Sequence, residues 1–306
     1  MTLPIHYSPR VAEARAGGEP IVALESTIIT HGMPFPQNHQ TACEVEAEVA
    51  RGGAVPATIA VMGGNIHVGL DGETLEQLAR TSDAAKLSRA DLAQALVTGL
   101  TGSTTVAATM IAANLADIEV FATGGIGGVH RDGEDTLDIS ADLQELARTP
   151  VTVVSAGAKA ILDIPRTLEV LETLGVPVIS YGQDAFPAFW SRDSGLKSPL
   201  RSDSVSEIAQ GHRLRERLGI TGGQLVGNPV PANLEIPADE LAPLIAQAHQ
   251  EAEEQSITGK DVTPFMLRRL LELSDGRCLT TNVALIIDNA RVAAKIAVAL
   301  NKIPRN

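Results

Sequence analysis

The stretch "PVTVVSAGAKAILDIPRTLEVLETLGVPVISYG", residues 150–182, decides the fold class. "PVTVVSAG" is a short β-branched run bounded by Pro and Gly, the composition of a buried strand. "IPRTLEVLETLG" returns its apolar residues at helical spacing, with Pro165 near its first turn, where a missing N–H costs nothing. "VPVISYG" is a second strand. A lysine, Lys159, stands among small and apolar residues where the first strand runs out. In one reading it is a surface lysine in a connecting loop. In the other it is kept partly dry so that it can serve as an amine nucleophile.

The same alternation extends outward. "IVALEST" (21–27) is a strand, and "NHQTACEVEAEVARGG" (38–53) is a helix ended by glycines. "ATIAVMGGNIHVGLDG" (57–72) is a pair of strands around a Gly-Gly-Asn turn. "ETLEQLART" (73–81) is a short helix, and "LSRADLAQALVTG" (87–99) opens with Ser88 and Asp91 at capping-box spacing. "GSTTVAATMIAANLA" (102–116) is a small-residue helix entered through a hydroxyl-rich turn, and "IEVFATGG" (118–125) is a further strand. The last third holds three helical patterns, with Thr263–Pro264 as a helix start. The expected fold is therefore α/β: a three-layer α/β/α sandwich with a mostly parallel sheet and a helical C-terminal layer. No linker or repeat divides the chain, so residues 1–306 are expected to form one domain, with 1–19 as a peripheral segment.

The totals limit the function. The formal net charge of −13 disfavours a polyanionic partner such as nucleic acid, but not a small phosphate in a local cradle. Two cysteines, Cys43 and Cys278, are too few for a disulfide framework. The first twenty residues carry no signal-peptide core, and no run approaches the ~20 apolar residues of a membrane span. The expectation is a soluble cytoplasmic protein.

Several groups can carry chemistry. Glu25 follows an apolar strand, and a carboxylate there points into the ligand crevice of an α/β sheet or caps the next turn. "FATGGIGGVHRDGEDTLDISADL" (121–143) fails as a dinucleotide loop, because His130 replaces the third glycine and no helix follows directly. Its glycines would instead let the backbone approach a small ligand. Asp138, Ser140 and Asp142 offer oxygen ligands to a hard divalent ion, or cap a helix. Gly102–Thr105 present hydroxyls and N–H groups to an anion, or simply cap. Lys86 could add a point charge. "YGQDAFPAFWSRDSG" (181–195) holds four of the eight aromatics, for ring stacking or an oligomer contact. No serine-hydrolase elbow, P-loop or metal-type histidine spacing is present.

Taken together, "ALESTIITHGMPFPQN", "KLSRADL", "GSTTVAATM", "FATGGIGGVHR", "DISADL", "SAGAKAILDIPRTLEVLETLGVPV", "NPVP" and "TTNVAL" closely resemble the pseudouridine-5′-phosphate glycosidase family, in family order over nearly the whole chain. The resemblance implies reversible cleavage of the C–C glycosidic bond of pseudouridine 5′-phosphate to uracil and ribose 5-phosphate. It implies Lys159 as nucleophile, Glu25 as proton donor, and Asp138 on a divalent metal, Mn²⁺. It places substrate contacts at Lys86, Val106, Ser140, Ala141 and Asp142, with Thr123, His130 and Asn282 as pocket residues. It also implies a homotrimer. The 5′-phosphate is expected on N–H groups around 103–106 or in the Ser140–Asp142 turn. Rival readings are a Schiff-base aldolase on a sugar phosphate and a catalytically idle sugar-phosphate sensor.

Overall fold

The computed structural model describes residues 2–305 except 132, 258, 260 and 261. The N-terminal part contains β1 (Ile5–Tyr7), α1 (Pro9–Gly17), β2 (Ile21–Leu24), a π-helical turn (Ile28–Gly32), α2 (Gln37–Arg51), β3 (Val55–Met62), β4 (Asn65–Val68) and α3 (Gly72–Arg80). There follow β5 (Ala85–Leu87), α4 (Leu92–Thr98), β6 (Gly102–Thr104), α5 (Val106–Leu115), β7 (Val120–Ala122), α6 (Gly133–Thr136), α7 (Ala141–Leu146), β8 (Thr152–Ser155) and α8 (Ile164–Thr173). The chain continues through β9 (Val178–Tyr181), β10 (Leu200–Ser202), α9 (Val205–Arg217), β11 (Gln224–Gly227), α10 (Ala238–Glu254), α11 (Val262–Leu273) and α12 (Arg277–Asn301).

The main path of the sheet runs β1-β4-β3-β2-β7-β8-β11-β9-β10, with β6 pairing β3 and β5. Pairings are parallel except β3 with β4 and β3 with β6. Short, nearly fully buried strands such as "TVVS" of β8 are what a parallel sheet covered on both faces requires. Helix α12 packs against β2, β7 and β8, with α2 and α9 beside it. Helix α5 contacts β2, β3 and β7 and is joined to α7. These form the two outer layers. α12 approaches the sheet closely because its inner face is small-residue rich, with Ala290, Ala293 and Ala294 buried around Asn289.

The quoted segment folds as read, strand, helix and strand. Asp163 caps α8 by accepting the Arg166 N–H at 2.9 Å, and Pro165 lies in the first turn. β8 and β9, however, are not neighbours: β11 lies between them and pairs in parallel with both. The Gly63–Gly64 hairpin joins β3 to β4, both glycines at positive φ (56° and 76°), as the tightest antiparallel turn demands. The hydroxyl-rich entry "GST" is a strand, β6, rather than a turn. The segment expected to be peripheral supplies β1 at the sheet edge, while Val11 and Ala14 of α1 enter the core. No helix among the described residues is long and apolar enough to cross a membrane.

Candidate active site

The C-terminal ends of β2, β7 and β8 lie side by side, and each delivers a residue to the same place. Glu25 immediately follows β2, Thr123 follows β7, and Lys159 lies four residues beyond β8. This is the edge at which open α/β sheets hold ligands. Ser26 anchors the β2 exit by donating to the Ile59 carbonyl at 2.6 Å and accepting the Thr104 N–H at 2.9 Å.

Both oxygens of the Glu25 carboxylate accept hydroxyl hydrogens, one from Thr27 and one from Thr123. Both partners are neutral hydroxyls, which can donate or accept. Lys159 lies in a loop whose residues Ala156, Ala158 and Ile161 are buried. Its loop is pinned by Ala156 N–H to Gly124 O (2.9 Å), Ile126 N–H to Gly157 O (3.1 Å) and Lys159 N–H to Ile126 O (3.2 Å). Gly157 makes this possible. Its φ is +83°, and a Cβ there would collide with the Pro187 carbonyl.

Glu25, Lys86, Lys159 and Asn282 line one cavity of about 80 Å³. Its apolar side is formed by Met33, Phe189, Leu267 and Leu285, and Thr27 and His31 also border it. The electrostatics around the lysines lean positive. Desolvation and then Lys86 hold the His31 imidazole below the usual histidine range. His130 is also lowered, first by burial and then by Lys159 and Lys86, against an opposing pull from Asp138. Both lysines therefore lie near the same imidazole. A larger groove of about 710 Å³ lies at the opposite end of the sheet, lined by Arg15, Glu119, Arg213 and Arg305. Its charged groups are paired with each other or with neighbours, so size and chemistry separate there.

The other expected residues take different positions. Asp142 is buried, and its two oxygens accept main-chain N–H groups, Ala107 at 2.9 Å and Gly127 at 2.8 Å. Ser140 caps α7 through the Asp142 N–H at 3.2 Å, and Ala141 is the first residue of that helix. This turn clips the α5 N-terminus to the glycine loop. The phosphate cradle expected at 103–106 is largely spoken for. Asp142 holds the Ala107 N–H, Thr105 caps Ala108, and the Ser103 and Thr104 hydroxyls are buried and hydrogen-bonded. Val106 has a core side chain, which leaves only its main chain for a ligand. Asp138 is partly exposed with His130 beside it, Nδ1 to Oδ2 3.9 Å. No cluster of three or more His, Cys, Asp or Glu among the described residues could cage a metal. This donor set suits a mostly hydrated divalent ion on one carboxylate.

Sequence reasoning did not single out Thr27, His31, Leu267 or Leu285. Thr27 carried a local signal, its place two residues after Glu25 in a hydroxyl-rich turn. The leucines are brought in from α11 and α12 and carried none. The loop glycines serve packing as much as any ligand. A Cβ on Gly125 would stand 2.6 Å from the Phe189 ring, and one on Gly127 would strike the Ser140 side chain.

A carboxylate and a lysine thus meet in one cavity at the carboxyl edge of a mostly parallel sheet, the arrangement of an α/β protein that holds a small ligand. The chain belongs to the family described as indigoidine synthase A like protein, whose profile matches residues 10–299. It is 67% identical over 300 residues to the pseudouridine-5′-phosphate glycosidase of Jannaschia sp. (strain CCS1), covering 98% of this chain and 99% of that one. It is 64% identical to the enzyme of that name from Paracoccus denitrificans (strain Pd 1222), covering 97% and 98% of the two chains. Among solved structures it superposes on a prealnumycin C-glycosynthase in complex with ribulose 5-phosphate, with a TM-score of 0.91 at 38% identity, covering 98% of each chain. An indigoidine synthase A-like protein from Thermotoga maritima gives a TM-score of 0.89 at 33% identity, over 98% of this chain and 97% of that one.

Proposed function

We infer that this chain is a pseudouridine-5′-phosphate glycosidase, an enzyme that cleaves the C–C bond between ribose C1′ and uracil C5. The observation that carries this is the meeting of Glu25 and Lys159 in one cavity, at the ends of β2 and β8 on either side of β7, in a chain 67% identical to an enzyme of that name. Uracil C5 is a poor leaving group, so an ordinary acid-assisted departure does not suffice. The neutral Lys159 amine attacks C1′, the C1′–O4′ bond breaks, and O4′ takes a proton from solvent as the ring opens, a proton returned when the protonated imine is hydrolysed. Glu25 accepts the proton that the amine sheds. The nitrogen lone pair then expels uracil: the C1′–C5 pair stays on the base, C5 takes the proton from Glu25, and a C1′=N imine remains. Water hydrolyses the imine to ribose 5-phosphate and regenerates Lys159.

Thr27 and Thr123 hold the carboxyl during both transfers. Lys86 and His130, on the electropositive side, suit the 5′-phosphate. Asp138 would hold a divalent ion, Mn²⁺ in this reading, which when bound offsets phosphate charge. A homotrimer and a cytoplasmic location complete the proposal. The free thiols Cys43 and Cys278 accord with a reducing compartment. Uracil release from pseudouridine 5′-phosphate by the purified protein, with Mn²⁺ and after chelation, tests it. Release lost on chelation supports both parts, and release untouched by chelation removes the metal. No release from folded protein sinks the proposed activity.

A further inference from the structure

The single tryptophan of the chain, Trp190, is fully buried. Its indole packs edge-on against Phe189, with ring centroids 4.9 Å apart. Its Nε1–H donates to the side-chain oxygen of Asn282 at 2.7 Å and also reaches the Cys278 carbonyl at 3.1 Å. An indole N–H can only donate, so the atom of the Asn282 amide facing it must be the oxygen. The flip of this amide is therefore fixed by chemistry. The amide nitrogen remains. It has no hydrogen-bond partner among the described residues, and Asn282 lines the cavity beside Phe189 and Leu285. That side of the cavity is largely apolar, with Phe189, Pro264, Leu267 and Leu285 beside Asn282 and Thr263 the other polar side chain, and it lies against an aromatic ring. It suits a planar ring rather than a phosphorylated sugar, whose phosphate belongs with the lysines.

Resting on the glycosidase reading, we propose that Trp190 is a positioning residue that fixes Asn282 as a hydrogen-bond donor toward the base. The cavity thereby selects a ring that presents a carbonyl oxygen at that point, a 4-oxo rather than a 4-aminopyrimidine. An amino group there would set donor against donor and leave both unpaired, the arrangement that costs most in a desolvated site. A sugar hydroxyl could adapt by rotating, but a ring substituent cannot.

The test compares kcat/KM for pseudouridine 5′-phosphate with that for its 4-amino analogue. Wild type is expected to favour the 4-oxo substrate by about 100-fold or more. Trp190→Phe frees the amide to turn, and the preference should narrow at least ~10-fold. Asn282→Asp replaces the donor with an acceptor and should narrow it further. Should Trp190→Phe fail to fold, the indole isostere with sulfur in place of N–H, introduced at this single tryptophan, keeps the shape and removes only the donor. A merely structural role for Trp190 would lower both substrates alike. An unchanged preference in the folded variant, by either substitution, overturns the proposal. A wild-type enzyme that releases uracil yet shows no preference also overturns it. A wild-type protein that releases none from pseudouridine 5′-phosphate defeats the glycosidase reading itself, and this inference with it.

Discussion

Two carboxylates sit at opposite ends of the same part of the sheet and have opposite surroundings. Glu119 precedes β7 and is bound by Arg213 at 2.6 Å and Arg305 at 2.8 Å, with His212 3.6 Å away. Burial alone would raise its pKa, but these hydrogen bonds and charges hold it far below the usual carboxylate range. Its proton is gone and stays gone. Glu25 follows β2 at the other end and is touched by two hydroxyls, Thr27 and Thr123. Charged partners fix a protonation state, whereas neutral, reversible partners leave a proton free to move. The difference separates a carboxylate that holds the fold from one that can serve chemistry, and the larger groove lies with the former.

The comparison can be broken first at the chemical end. Lys159→Arg keeps a cation and removes the nucleophile, so uracil release should fall ~10⁴-fold or more. Full activity in that variant would end the covalent scheme. Glu25→Gln keeps the shape and both hydroxyl contacts but cannot carry a proton, and kcat should drop by roughly 10²–10⁴-fold. Stability measured by urea unfolding should change little in either variant.

At the other end the effect should move to stability. Glu119→Gln leaves the buried Arg213 with only Glu216 and should cost about 2 kcal/mol near neutral pH, with kcat unchanged. The sign in acid follows from the depressed pKa. The stabilisation by Glu119 is complete above its unfolded value of ~4.3 and is lost as pH falls below it. The gap between wild type and Glu119→Gln should therefore close on acidification. A gap that widened would contradict the ion-pair account.

The smallest effect sharpens the positive side of the site. Lys86→Met should raise KM about 10-fold or more for the phosphorylated substrate, with a lesser effect on kcat. Because Lys86 contributes to the lowered pKa of His31, its removal should move the His31 titration upward, followed by NMR. A downward movement would contradict the assigned cause.

What the sequence disclosed, and what it did not, divides along physical lines. Local signals were legible: Pro165 in the first turn of α8, the Gly63–Gly64 hairpin, and Glu25 and Lys159 at strand ends. β11 was not, although it lies in the middle of the sheet. Four residues, "QLVG", are too short for a periodic pattern, and their position between β8 and β9 is a tertiary fact. The 103–106 turn and Asp142 were each legible as donors or acceptors, but not as each other's partners across 35 residues of chain. The aromatics of 181–195 admitted ring stacking or an oligomer contact. Phe186 and Trp190 are instead buried in the core, and only Phe189 edges the cavity.

The central claim is that Lys159 is the amine that bonds to the sugar. Borohydride reduction of the protein with ribose 5-phosphate, followed by peptide mass mapping, tests it directly. The account predicts a single reduced adduct on the peptide containing Lys159, absent from Lys159→Arg. An adduct on Lys86 instead, or none from protein that turns over pseudouridine 5′-phosphate, would contradict it.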